Sequence, residues 1–246
     1  MRKLILVSLS LVIALGIVNP CAYAMKIKYT FAFADRFPDE AAPLGFTPGN
    51  SVQVGAVVKA GDFTITEATA TNLDTGVVLN LVQRNIGAAY TNLLFLHWPF
   101  PPLDPDKHKG VWEIRFRDEK GNEAVAKSHR LDKVGELPYV ENIKASGSRF
   151  APIITWTALK EGDYPPECKI KYRVRLLKNN GNQFYKTKKL SSEPKDEIPK
   201  GILKYEDIPD TYIRIETQCW DSESDHPVPV ETKSETFRPL VEAFGQ

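Results

Sequence analysis

The chain has 246 residues, 42% of them hydrophobic, and 32 Lys and Arg stand against 31 Asp and Glu for a net charge of +1. That balance excludes a global field able to recruit nucleic acid or an anionic membrane surface. The length is enough for one large domain or two of ordinary size.

The first residues, MRKLILVSLSLVIALGIVNPCAYA, place Arg2 and Lys3 before an apolar run from Leu4 to Val18, then Asn19-Pro20 and the small-x-small triplet Ala22-Tyr23-Ala24. This predicts a secretory signal peptide over 1–24 with cleavage after Ala24. A membrane anchor needs roughly 20 apolar residues, and the run is shorter. Lipidation of Cys21 normally wants Gly or Ala before the cysteine, where Pro20 stands, so Cys21 is expected to leave with the peptide. The short n-region and the cleavage site read as bacterial, which makes the periplasm or the extracellular space the expected destination. No later segment is apolar enough for stable membrane insertion.

The rest of the chain reads as strands. SVQVGAVVKA puts Val52, Val54, Ala56 and Val58 on one face, and GVVLNLV does the same with Val77, Leu79 and Leu81. In VWEIRF, Trp112, Ile114 and Phe116 alternate with Glu113 and Arg115. Period-two alternation of this kind marks half-buried strands. Between them lies LHWPFPPLDPDKHKG, a stiff connection carrying Trp98 and Phe100. Its aromatics are either an exposed contact surface or a cap on the base of the first domain. Hairpins are expected at Asp118–Asn122 and Asn179–Asn182, where Gly121 and Gly181 supply the positive φ of the turn.

Gly135 and Pro138 break the pattern and set a boundary. The expected organisation is a first β-sandwich over 25–133, a linker at 134–137, a second sandwich over 138–240 and a C-terminal tail at 241–246. The short linker predicts two modules placed end to end.

From Pro138 onward the order of features resembles a fibronectin type III domain. LPYVENIKASG matches its opening strand and APIITWTA its second strand with a buried Trp156. KIKYRVRLL matches the third, IPDTYIRIET the turn and sixth, and ETKSETFRPL the last. Ile213 stands where that family carries its corner tyrosine, with Tyr212 one residue earlier. The first domain resembles Ig-like modules only generically, through KGVWEIRFRDEKGNEA, which is similar to the final hairpin of many bacterial ones. The resemblance therefore implies an all-β fold, two Ig-like or fibronectin type III-like antiparallel β-sandwiches in tandem after a cleaved signal peptide.

On those strands Cys168, Ile170, Tyr172, Val174 and Leu176 share one face, as do Ile213, Ile215, Thr217 and Cys219, so both cysteines point inward. In the fibronectin-like order these two strands are antiparallel neighbours, which predicts a Cys168–Cys219 disulfide in an oxidising compartment. Two buried free thiols are the alternative, and no histidine is placed to activate a thiol. The outward row of Lys169, Lys171, Arg173 and Arg175 lies beside acids that include Glu216, which predicts a solvated, cross-paired face in place of a polyanion site.

His97, His108, His129 and His226 stand apart, and no pair has a metal-ligand spacing. No phosphate cradle or nucleophile elbow is present. No metal, cofactor or catalytic residue is therefore expected. The loops TALKEGDYPPE and WDSESDHPVPVE are expected at one end of the second domain, bringing Tyr164, Trp220 and the loop acids, with His226 among them, together either as a binding surface or as a cover on the end of the core. The expected function is a non-catalytic secreted or periplasmic binding or scaffold subunit of an envelope or extracellular assembly, with protein partners. The alternatives are a two-Ig-domain periplasmic chaperone, for which NEAVAKSHRLD lacks a clear client-binding strand, and a carbohydrate-binding accessory contacting polysaccharide.

Overall fold

The computed structural model describes residues 25–84, 92–132, 137–221 and 230–245. The expected signal peptide, most of the expected linker and His226 lie outside them. The first half contains β1 (Ile27–Phe37), β2 (Gly49–Lys59), β3 (Ile65–Asn72), β4 (Val78–Asn80), β5 (Val82–Arg84), β6 (Asn92–Leu96), β7 (Gly110–Asp118) and β8 (Glu123–Leu131). The second contains β9 (Glu141–Ser148), β10 (Ala151–Thr157), β11 (Cys168–Lys178), β12 (Gln183–Lys186), β13 (Lys195–Glu197), β14 (Thr211–Asp221) and β15 (Val230–Pro239). A helical turn at Leu240–Ala243 follows, where a tail was expected, and buries Leu240 on the second core.

The strands form an all-β fold of layered sheets. An eight-stranded sheet runs in the order β12-β11-β14-β15-β1-β2-β6-β5, backed by a four-stranded sheet β4-β3-β7-β8 and a three-stranded sheet β13-β10-β9. Alternation explains the layering. Val52, Val54, Ala56 and Val58 turn to the inner face and pack with Trp112, Ile114 and Phe116 in a first core, where Phe95 meets Phe116 edge-on at 5.1 Å. The second core joins Ile154 and Trp156 to Tyr172, Val174, Ile213 and Ile215. Trp112, Ile114 and Phe116 are fully buried, and burying a large apolar side chain contributes about 1.5–3 kcal/mol.

The two halves are joined laterally, which corrects the end-to-end placement. β1 and β15 pair in parallel through Ala34 with Thr232, Asp35 with Lys233 and Arg36 with Ser234, so one sheet serves both cores. A second contact reinforces the seam. Gly181 sits at the β11–β12 turn with φ +78°, and a Cβ there would lie 2.0 Å from the Leu44 carbonyl oxygen. Only a residue without a side chain allows that approach.

Both cysteines point inward as face-counting requires, and Cys168 and Cys219 are joined by a disulfide with Cα atoms 5.0 Å apart. Ile170 is the direct cross-strand partner of Cys219, so the bridge runs diagonally. Leu137, the last residue of the expected linker, is fully buried against it.

Candidate functional site

The outer face of the eight-stranded sheet is hollow, with a cavity volume of about 530 Å³ lined from β5 at one edge to β12 at the other. Strand alternation decides what lines it. In β1 the even positions Thr30, Ala32 and Ala34 are small, whereas the odd positions Tyr29, Phe31, Phe33, Asp35 and Phe37 face the hollow. Antiparallel pairing aligns Asp35 with Ser51, Phe33 with Gln53, Phe31 with Gly55 and Tyr29 with Val57 on β2. Gly55 faces Leu96 on β6 in turn. A Cβ at Gly55 would lie 2.2 Å from the Phe95 carbonyl oxygen and 2.7 Å from the Phe31 ring, so the missing side chain lets that ring lie on the sheet.

One end of the hollow is apolar. Phe31, Phe33, Leu96 and Val230 form a buried cluster on which Leu94, Phe100 and Trp220 pack. Trp98 meets Phe100 edge-on at 4.9 Å, is 40% exposed and carries the Arg84 guanidinium 4.5 Å above its ring. Trp98 and Phe100 thus stand on the outer sheet face and do not cap the base of the first core. Trp220 joins them, whereas Tyr164 packs against the disulfide cluster. Trp98, Phe100 and Trp220 therefore line one surface, while the loop expected to join Tyr164 and Trp220 with His226 lies outside the described residues.

The other end is charged and largely buried, which corrects the expectation of a solvated face. Glu216 and Glu235 are fully buried. The Glu216 carboxylate accepts from Arg175 Nε at 2.7 Å and Gln218 Nε2, and lies 3.3 Å from Lys233 Nζ. Arg214 donates to both oxygens of Glu235, at 2.8 and 2.6 Å. Its guanidinium is also surrounded by the rings of Phe46, Phe37 and Phe237, with centroids 5.0–5.7 Å away. Trp220 Nε1 donates to Gln218 Oε1 at 2.7 Å, which ties the indole to the same network.

Burial alone would raise the Glu216 carboxyl. Arg175, Lys233, Arg173 and Arg214 together outweigh it and hold the group well below the ordinary glutamate value. Asp35 behaves oppositely, because burial and then the neighbouring Glu235 push its carboxyl well above the ordinary aspartate value. Gln53 Nε2 donates to Asp35 Oδ2 at 2.6 Å, while Asp35 Oδ1 is buried without a hydrogen-bond partner. Arg173 Nε is likewise buried and unpartnered. These groups form a rigid, cation-rich and partly unsatisfied floor, suited to holding a ligand by side-chain contacts.

The histidines play local parts. His97 Nδ1 lies 2.8 Å from the Asn80 carbonyl oxygen, and buried His108 accepts from the Asp104 backbone N–H at 3.0 Å. Among the described residues no three His, Cys, Asp or Glu side chains converge on a metal position.

The expected set missed Phe31, Phe33, Asp35, Leu94, Leu96 and Lys233. The available signal was YTFAFADRF, where large and small residues alternate: such a strand is covered on both faces, with the bulk on one side. No protein-family model matches this chain, and no curated protein matches it significantly.

Proposed function

We propose that the protein is a non-catalytic binding subunit of a bacterial envelope or extracellular assembly, and that it holds a protein partner in the hollow of its eight-stranded sheet. The observation that carries this reading is the hollow itself. It combines partly exposed aromatics, Trp98 foremost, with buried and fixed charges, and aromatic and arginine anchors in desolvated pockets dominate binding energy at interfaces. Its volume falls within the range of about 300–1,000 Å³ typical of ligand pockets. The disulfide supports a periplasmic or extracellular location, since such bonds persist in oxidising compartments.

Strand order in the second half supports the fibronectin type III-like or Ig-like assignment. First, second and fifth strands share one sheet, while third, sixth and seventh share the other, the division found in immunoglobulin-type sandwiches.

The test is affinity capture from periplasmic and culture-medium fractions with tagged mature protein, followed by mass spectrometry. It is paired with Trp98→Ala/Phe100→Ala protein and with retention on insoluble polysaccharide. Defined protein partners retained by the wild type and lost by the double variant support the reading. Retention on polysaccharide with no groove-dependent protein capture overturns it in favour of a carbohydrate-binding module.

A further inference from the structure

The polarity of the hollow is biased along its length, with Trp220 and Val230 of the second half packing on the apolar cluster and Phe37 and Phe46 standing beside Arg214. Phe31, Phe33, Val57, Leu94, Leu96 and Phe100 line the end formed by β1, β2 and β6. Arg173, Arg175, Lys186, Arg214 and Lys233 line the end formed by β11, β12, β14 and β15. Against these cations the lining carboxyl groups are Asp35 and Glu216 alone among the described residues; Glu216 is already committed to Arg175 and Lys233, and Arg214 to the fully buried Glu235. The charged end therefore has a cationic surplus, with Arg173 Nε unpartnered at its floor. From β6 to β11 the sheet crosses five inter-strand spacings, roughly 24 Å at about 4.8 Å each. That distance matches about seven residues of extended chain.

A long-chain carboxylate would also suit an apolar end joined to a cationic one. The junction between the ends discriminates. Asp35 lies there, 2% exposed, with Oδ1 unpartnered beside Phe33 and Gln53. A hydrocarbon chain crossing this point leaves that oxygen unsatisfied, at a cost to binding. A peptide backbone brings an N–H and a carbonyl to the same place and can pair with the carboxyl in either protonation state.

Resting on the reading of the hollow as the partner site, we propose that its occupant is one extended segment of the partner protein lying across the strands. An acidic side chain of the segment meets Arg173, its backbone meets Asp35, and its aromatic or aliphatic side chains fill the Phe31–Leu94–Phe100 end. The guanidinium fork gives the acid its geometry, as arginine pairs with carboxylates through parallel hydrogen bonds.

The test is selection from a displayed library of random peptides of about eight residues against immobilised, oxidised mature protein. The best synthetic peptide is then titrated by fluorescence anisotropy. Selected sequences should carry Asp or Glu towards one end and Phe, Tyr, Trp, Leu or Ile towards the other. Binding should weaken about tenfold or more in Arg173→Gln and less in Arg173→Lys, with circular dichroism confirming that both variants fold. Selected peptides without acids, affinity unchanged in Arg173→Gln, or no selection at all would overturn the proposal. So would hexadecanoate binding in the hollow more tightly than any selected peptide, which would identify an anionic amphiphile site. If these fail while capture of a protein partner still depends on Trp98 and Phe100, only the chemistry of the segment is wrong. If that dependence is absent as well, the partner reading falls with it.

Discussion

Glu216 shows how much the outer face of the sheet depends on single groups. It is buried and shared by Arg175, Gln218 and Lys233, so Glu216→Gln leaves two part-buried cations with a neutral acceptor. Breaking a buried pair from one side costs about 3–5 kcal/mol, and chemical denaturation of this variant at neutral pH should show a loss near the lower end. Because the folded carboxyl titrates below its unfolded value of about 4.3, its contribution is present above that pH. It is lost as pH falls through the folded value. Asp35 has the opposite sign. Its folded carboxyl titrates above the unfolded value, so its ionisation costs stability at any pH above the folded value, and the cost fades as pH falls towards about 3.9. Asp35→Asn should therefore raise the denaturation midpoint at neutral pH, a gain that shrinks on acidification when midpoints are compared across pH. A loss at neutral pH would mean that attraction to Lys233 outweighs desolvation. None of this was legible from residue types: the sequence places Glu216 beside basic neighbours, but its burial depends on Arg175, Gln218 and Lys233 converging on it from three strand positions.

Strands were legible where one face is wet, or small and polar. Trp112 to Phe116 alternate cleanly because Glu113 and Arg115 between them are less buried, Val52 to Val58 because small or polar Gln53 and Gly55 separate the valines although that face is largely covered too, and both cysteines could be assigned a face by the same count. β1 was not legible by this rule. Its residues from Thr30 to Asp35 are all buried, and a strand covered on both faces reads as a continuous apolar run with no period. The disulfide joins positions 51 residues apart, and closing such a loop stabilises by about 4 kcal/mol on the chain-entropy account. Cys168→Ala/Cys219→Ala should lose about that much in denaturation, and alkylation of the unreduced, unfolded wild type should modify neither cysteine. Gly55→Val forces a side chain against the Phe95 carbonyl and the Phe31 ring. Overpacking of this kind costs about 1–3 kcal/mol, and a thermal scan should show the loss, whereas an unchanged midpoint would mean the β2–β6 edge yields freely.

At the scale of the whole molecule, the property that creates the hollow is one sheet serving two cores. The β1–β15 pair turns two sets of four strands into eight, and the apolar outer face of the first half then adjoins the charged outer face of the second. The two loops singled out in the sequence, around Trp98 and around Trp220, belong to different halves, and only the lateral seam brings both indoles to one surface. A tandem read strand by strand carries no signal for that seam, because three parallel pairs between the end of β1 and the start of β15 leave no turn or spacing to recognise. The most direct test of the account places a photo-crosslinking phenylalanine analogue at Phe100, inside the hollow, and separately at Val125, exposed on β8 of the backing sheet. Irradiation with the envelope and medium fractions should give a discrete protein adduct from position 100 and none from position 125. Adducts from position 125 alone, or equally from both, would contradict the assignment of the hollow as the contact surface.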